Sequence, residues 1–154
     1  MHKILWKYKQ FSLLNTFELY EIIRLRQEVF VVEQNCPYLD ADGKDLESDH
    51  LMGFDYNSKL VAYARIVHPG ISYNEISLGR VVTAPSHRRQ ELGILLMQTT
   101  LEKIYNEYGD VPVRISAQCY LENFYQKFGF QVVSEPYMED DIPHVEMFLE
   151  KMLR

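Results

Sequence analysis

Hydrophobic and polar positions divide the chain into short alternating runs and longer stretches of helical period. Ile4, Trp6 and Tyr8 alternate with Lys3, Lys7 and Lys9, with Leu5 the exception, a period of two that predicts a first strand over 3–9. Asn15 or Thr16 caps a helix, with Glu18 and Glu21 placed to suit its N-terminal dipole. Leu19, Ile22, Ile23, Arg26 and Phe30 recur three and four residues apart, so this helix runs to about Phe30. From Gln34 to Asp49 the period collapses into a loop. It holds Pro37, a short helix and an Asp-Ala-Asp-Gly turn that copies part of a calcium loop, but Tyr38 stands at the first ligand position.

Two further strands, 50–56 and 60–68, flank Asn57-Ser58-Lys59 as a hairpin. An apolar strand follows over 75–83, with Ile76, Leu78, Val81 and Val82, then a turn with Pro85 and Ser86, a good N-cap residue. Leu92, Leu95, Leu96, Thr99, Thr100 and Ile104 mark the longest helix, which Gly109 and Pro112 stop. Residues 113–117 read as a strand, 121–128 as a short helix ended by Gly129, and 130–133 and 145–149 as final strands around an acidic loop, 135–141. The spacing gives one α/β domain with a mixed sheet of about seven strands and about four helices.

Composition narrows this little. The 154 residues are 47% hydrophobic and 25% charged, ordinary for a globular protein and sufficient for one core. No apolar run reaches the roughly 20 residues of a membrane span, and the N-terminal stretch MHKILWKYKQ lacks a signal-peptide pattern. Cys36 and Cys119 stand far apart in unlike contexts, as in a reducing compartment, so a cytoplasmic protein is expected. A net charge of −6 argues against a nucleic-acid partner and is compatible with a cationic amine. The five histidines lack metal-ligand spacing, so no metal is implied.

The candidate chemistry sits at the start of the longest helix. Arg88, Arg89, Gln90 and Gly93 crowd a turn whose backbone N–H groups lack intrahelical partners, and two guanidinium groups alongside suit a diphosphate. The run Arg88-Arg89-Gln90-Glu91-Leu92-Gly93 resembles the Q/R-x-x-G-x-G/A motif of GNAT-superfamily N-acetyltransferases. Asn123-Phe124-Tyr125-Gln126-Lys127-Phe128-Gly129-Phe130 is similar to that family's Y-x-x-x-G-F helix end. The phrases LRQEVFVVEQ, GRVV, AQ and IPH resemble the ElaA-like branch in particular.

The resemblance implies an acetyl-CoA-dependent transfer to a primary amine of a small molecule or peptide, by direct attack. It implies that strands 75–83 and 113–118 splay apart, so that Val81, Val82 and Thr83 offer backbone to pantetheine while Arg88, Arg89, Gln90, Glu91, Leu92, Gly93 and Ile94 hold diphosphate. Gln118 stands where relatives place an asparagine, and Tyr125 stands at the position of the acid. The base is open among His144 and Glu33, ranked level, and Glu75 behind them. The two acidic loops, 38–49 and 135–141, are expected to flank the acceptor and draw an ammonium group. Glu91 replaces the motif's first glycine, and its carboxylate beside a diphosphate implies weaker cofactor binding. A helix-start residue needs no positive φ, so the N–H of Glu91 is expected still to face the phosphate. The alternative from another class is a non-catalytic acyl-CoA-binding or sensing domain. Acceptor identity and oligomeric state stay open.

Overall fold

The computed structural model describes residues 3–152. Eight strands form one sheet: β1 (Leu5–Gln10), β2 (Ser48–Phe54), β3 (Leu60–Val67), β4 (Ile76–Thr83), β5 (Val113–Gln118), β6 (Gln131–Val132), β7 (Tyr137–Glu139) and β8 (Ile142–Leu149). Their order is β1-β2-β3-β4-β5-β8-β6, with β7 also pairing β8, and only the β4–β5 pair is parallel. All residues of β2 and β3 are buried, so both of their faces are covered. The helices α1 (Thr16–Arg26) and α2 (Leu92–Tyr108) pack on β3 and β4, and the 3-10 turns Phe11–Leu13 and Lys44–Glu47 pack on β2. The short α3 (Glu122–Gln126) lies beside β6.

Local chemistry explains the boundaries. Asn15 closes a capping box: its Oδ1 accepts from the Glu18 N–H at 2.7 Å, and Glu18 Oε1 accepts from the Asn15 N–H at 3.0 Å. Helical structure continues past the expected end near Phe30, because Gln27–Glu33 forms a π-helical segment. Such widened turns recur at functional sites, and this one carries Phe30 and Glu33 to the cleft described below. Gly109, at φ +84°, stops α2, and Gly129, at φ +99°, stops the turn after α3.

Three sequence expectations need correction. The acidic stretch 135–141 is no plain loop, because Tyr137–Glu139 pairs with Ile142–His144 as a hairpin. Its turn is Asp140-Asp141 with φ of +51° and +62°, the left-handed pair that tight hairpins need and that aspartate tolerates. There are eight strands and three α-helices among the described residues, the helix foreseen in the 34–49 loop being a 3-10 turn, Lys44–Glu47. Ser86 does not cap α2; it lies in a 3-10 turn, Pro85–His87, and Glu91 occupies the position before the helix.

Candidate functional site

β4 and β5 pair only at Ile76–Val113 and Ser77–Arg114 and then diverge. From Leu78 to Thr83 the edge of β4 that faces β5 therefore has no strand partner; the Thr83 carbonyl accepts from Arg88 Nη2 at 3.5 Å, and the rest of this edge is open to an extended ligand. On its other edge β4 shifts register against β3 between Tyr63 and Arg65, where Arg80 adopts φ +50°. This bulge turns the Arg80 side chain toward the 40–45 loop.

Two cavities open on the splay. One, of about 460 Å³, runs between Val81, Val82 and Thr83 of β4, Arg88 and Gly93 before and in α2, and Tyr120, Phe124 and Tyr125. The other, of about 510 Å³, lies under the 38–44 loop and the β7–β8 hairpin, and its wall includes Arg65, Ser77, Arg80, Ser116, Glu139 and His144. Phe30, Gln34, Val81, Gln118, Leu121 and Tyr125 border both. Tyr125 and Gln118 thus stand where the cavities meet.

The turn before α2 differs from the sequence expectation. Arg89 and Glu91 sit at φ +66° and +59°, so the chain enters the helix through two left-handed residues, the conformation from which anion-binding backbone concavities are built. Glu91 makes no side-chain cap and its side chain is exposed. The first intrahelical bond runs from the Leu95 N–H to the Glu91 carbonyl at 3.1 Å, leaving the N–H groups of Leu92, Gly93 and Ile94 for an anion. A Cβ added at Gly93 would meet only the Phe124 ring, at 3.7 Å, so packing does not require glycine there; the cleft it borders is what a side chain would fill. Glu91→Gly is expected to stabilise the fold by about 0.5–1 kcal/mol, since it relieves a left-handed residue with a Cβ. It should also tighten acetyl-CoA binding in calorimetry. An unchanged dissociation constant would remove the repulsion assigned to Glu91.

Arg88 is not free. Its Nη1 and Nη2 donate to Glu33 at 2.6 and 2.7 Å, a bidentate pair across the mouth of the narrower cavity. Glu33 is accordingly held below the usual carboxylate range by Arg88. It lines the cavity beside the helix start and not the one beneath the hairpin. Glu33→Gln should release the guanidinium and lower the acetyl-CoA dissociation constant about threefold to fivefold, the scale of an exposed ion pair. Arg89 and Gln90 are exposed.

Tyr125 is buried, with its ring edge-on to Phe124 and Phe130 at centroid distances of 5.3 and 6.0 Å. Its hydroxyl bonds no other described residue, and burial pushes its phenol well above its ordinary pKa of 10. Gln118 Oε1 is buried without a partner among the described residues. His144 lies opposite Gln118 in the β5–β8 register. Its Nδ1 donates to the Ile142 carbonyl at 2.7 Å, which leaves Nε2 as the acceptor nitrogen of the neutral ring. That Nε2 faces Glu139 Oε2 at 3.4 Å, and the ring stacks on Tyr137. Glu75 lies apart: Arg114 donates to it at 3.1 and 3.3 Å, holds it below the usual range, and keeps it off both cavity walls.

The first acidic loop is also not what its composition suggested. It does flank the wider cavity, but its carboxylates are engaged. Asp40 accepts from Arg26 and Arg80, both at 2.8 Å; Asp42 accepts from Arg65 at 2.8 Å; Asp45 accepts from Arg26 at 2.7 Å and from Arg65 at 3.0 Å. An ammonium ion gains nothing from carboxylates already paired with guanidinium groups. Among the described residues no helix is long and apolar enough to cross a membrane.

With this geometry the comparisons agree. A model of the GNAT acetyltransferase domain matches residues 26–151. Protein ElaA of Escherichia coli K12 is 45% identical over 147 residues, covering 94% of this chain and 95% of that protein. The crystal structure of Escherichia coli ElaA superposes with a TM-score of 0.89 at 43% identity, over 96% of this chain and 100% of that one. An acyl-CoA N-acyltransferase from Pseudomonas aeruginosa superposes with a TM-score of 0.91 at 41% identity, over 96% and 99%. The splayed sheet and these matches together place the chain in the GNAT acetyltransferase family, as a homologue of ElaA.

Proposed function

We propose that this protein transfers an acetyl group from acetyl-CoA to a primary amine by direct attack within a ternary complex. The observation that carries the reading is the meeting of two cavities at Tyr125 and Gln118, one running along β4 to the start of α2 and the other lying beneath the β7–β8 hairpin. The chain's own groups fit acyl-CoA. Unpaired β4 backbone can match pantetheine amides, the buried Gln118 Oε1 lacks a donor, and the α2 start offers N–H groups to a diphosphate. The solved aminoglycoside 6′-N-acetyltransferase with coenzyme A bound shares the fold, at a TM-score of 0.68 and 17% identity.

When bound, acetyl-CoA supplies an activated thioester carbonyl. His144 takes the proton of the attacking amine on Nε2, its tautomer fixed by the Ile142 carbonyl. Backbone N–H groups on the free edge of β4 stabilise the developing oxyanion. Tyr125, kept protonated by burial, returns a proton to the departing sulfur. Glu33 and Glu75 are each tied to an arginine, which favours His144 as the base.

The alternative, an acyl-CoA-binding or sensing domain without turnover, draws on the engagement of two of the three candidate bases, Glu33 by Arg88 and Glu75 by Arg114. Release of free CoA thiol across a panel of amines separates the two. Amine-dependent release supports the transferase; a thermal shift with acetyl-CoA but no release from any amine supports the sensor.

A further inference from the structure

Resting on the transferase reading, we propose that the acceptor is an amine that also carries an anionic group, a carboxylate or phosphate, held by Lys44 on the wall opposite His144. The wider cavity has two electrically unlike walls. On the β7–β8 side Glu139 Oε2 and His144 Nε2 stand 3.4 Å apart. With Nδ1 donating to Ile142, the neutral ring and the carboxylate present two acceptors side by side, and an ammonium group bridging them from the cavity supplies donors to both. That wall therefore receives the amine, beside Gln118 and Tyr125.

The wall formed by β3, the start of β4 and the 40–45 loop carries the reverse sign. Within the ion-pair network Arg26, Arg65 and Arg80 balance Asp40, Asp42 and Asp45, three charges against three, so one cation of this wall stands outside it. That cation is Lys44. The residue lines the cavity, and its Nζ donates to Ser72 Oγ at 3.0 Å and pairs with no carboxylate of a described residue. Arg65, 4% exposed, adds an Nε–H that is buried without an acceptor among the described residues. A cation in a cavity with a hydroxyl beside it and an unsatisfied guanidinium N–H behind it is a complement to an anion. Arg65 on β3 and His144 on β8 reach in from strands three positions apart in the sheet, so the acceptor's two charges are separated by a spacer.

The test compares ε-aminocaproate and aminopropylphosphonate with hexylamine and cadaverine, following thiol release. The anionic amines should show a kcat/KM roughly tenfold to a hundredfold higher, the scale of one hydrogen-bonded charge pair. Lys44→Met should collapse that ratio by raising KM for the anionic acceptors, and Lys44→Arg should retain it. Calorimetric binding of ε-aminocaproate to the CoA-saturated protein should likewise depend on Lys44. Equal or better use of hexylamine and cadaverine by the parent protein, or a ratio that Lys44→Met leaves unchanged, overturns the proposal while the transferase reading stands. Lys44-dependent binding with no thiol release from any amine upholds the anion subsite and overturns the transferase reading.

Discussion

On the proposed mechanism, replacing Tyr125 with phenylalanine should lower turnover about a hundredfold, the lower end of what a positioned proton donor contributes, and leave acetyl-CoA affinity unchanged. The substitution removes only the hydroxyl. The ring keeps its edge-on contacts with Phe124 and Phe130, and the hydroxyl bonds no other described residue, so the fold loses little. What is lost is a proton source at the junction of the two cavities, held in its neutral form by burial. The thiolate of CoA then leaves unassisted, a defect that appears in kcat rather than in binding. Steady-state kinetics with calorimetry separates the outcomes: equal losses in turnover and affinity would make Tyr125 a wall of the cofactor cleft and not its acid.

How far this site was readable depended on the sequence distance between partners. The capping box at Asn15 and Glu18 and the stop at Gly109 are local, and residue type alone announces them. The strand–turn–helix from Ile76 to Tyr108 follows from its period, and the motif on it marked the turn before α2 as the candidate phosphate site. The conformation of that turn was not legible, because Arg89 and Glu91 give no sign of left-handed backbone that glycine would give. β7 was missed for a related reason: Asp140-Asp141 reads as an acidic loop until its positive φ pair is seen to close a hairpin. The Glu33–Arg88 pair spans 55 residues, and the Arg80–Asp40 pair spans 40, beyond any local signal. One clue was present. Arg26 falls in step with Ile22 on the core-facing side of α1, and a guanidinium there demands buried carboxylates. Asp40 and Asp45 in the following loop were available to meet that demand.

That network sets the second large effect. Arg26 is fully buried, bonded to Asp40 through Nε and to Asp45 through Nη1, and its guanidinium lies 5.8 Å from the centroid of the Tyr63 ring. Arg26→Met keeps the aliphatic volume but takes one of two arginines from each of two buried carboxylates, leaving Asp40 to Arg80, Asp45 to Arg65 and one negative charge of the network uncompensated, at a cost of roughly 3–5 kcal/mol, or a melting temperature lower by about 10 °C. Adding Asp40→Asn should recover part of the loss, since the uncompensated negative charge is gone, and the double-mutant cycle measures the coupling. Acid should weaken the same network. Burial opposes ionisation of Asp42, but Arg65 outweighs it and holds that carboxyl down to about 2. Its stabilisation is present above the unfolded carboxyl value near 3.9 and is lost as pH falls toward the folded one. The urea midpoint should therefore be level near neutrality and fall between about pH 4 and pH 2. Because Arg26 anchors the loop that carries Asp42 and Lys44 to the acceptor cavity, the folded fraction of Arg26→Met should also show a raised acceptor KM with acetyl-CoA affinity retained. A variant as stable as its parent would mean that Asp40 and Asp45 find other partners, and the loop would then owe its position to something besides this arginine.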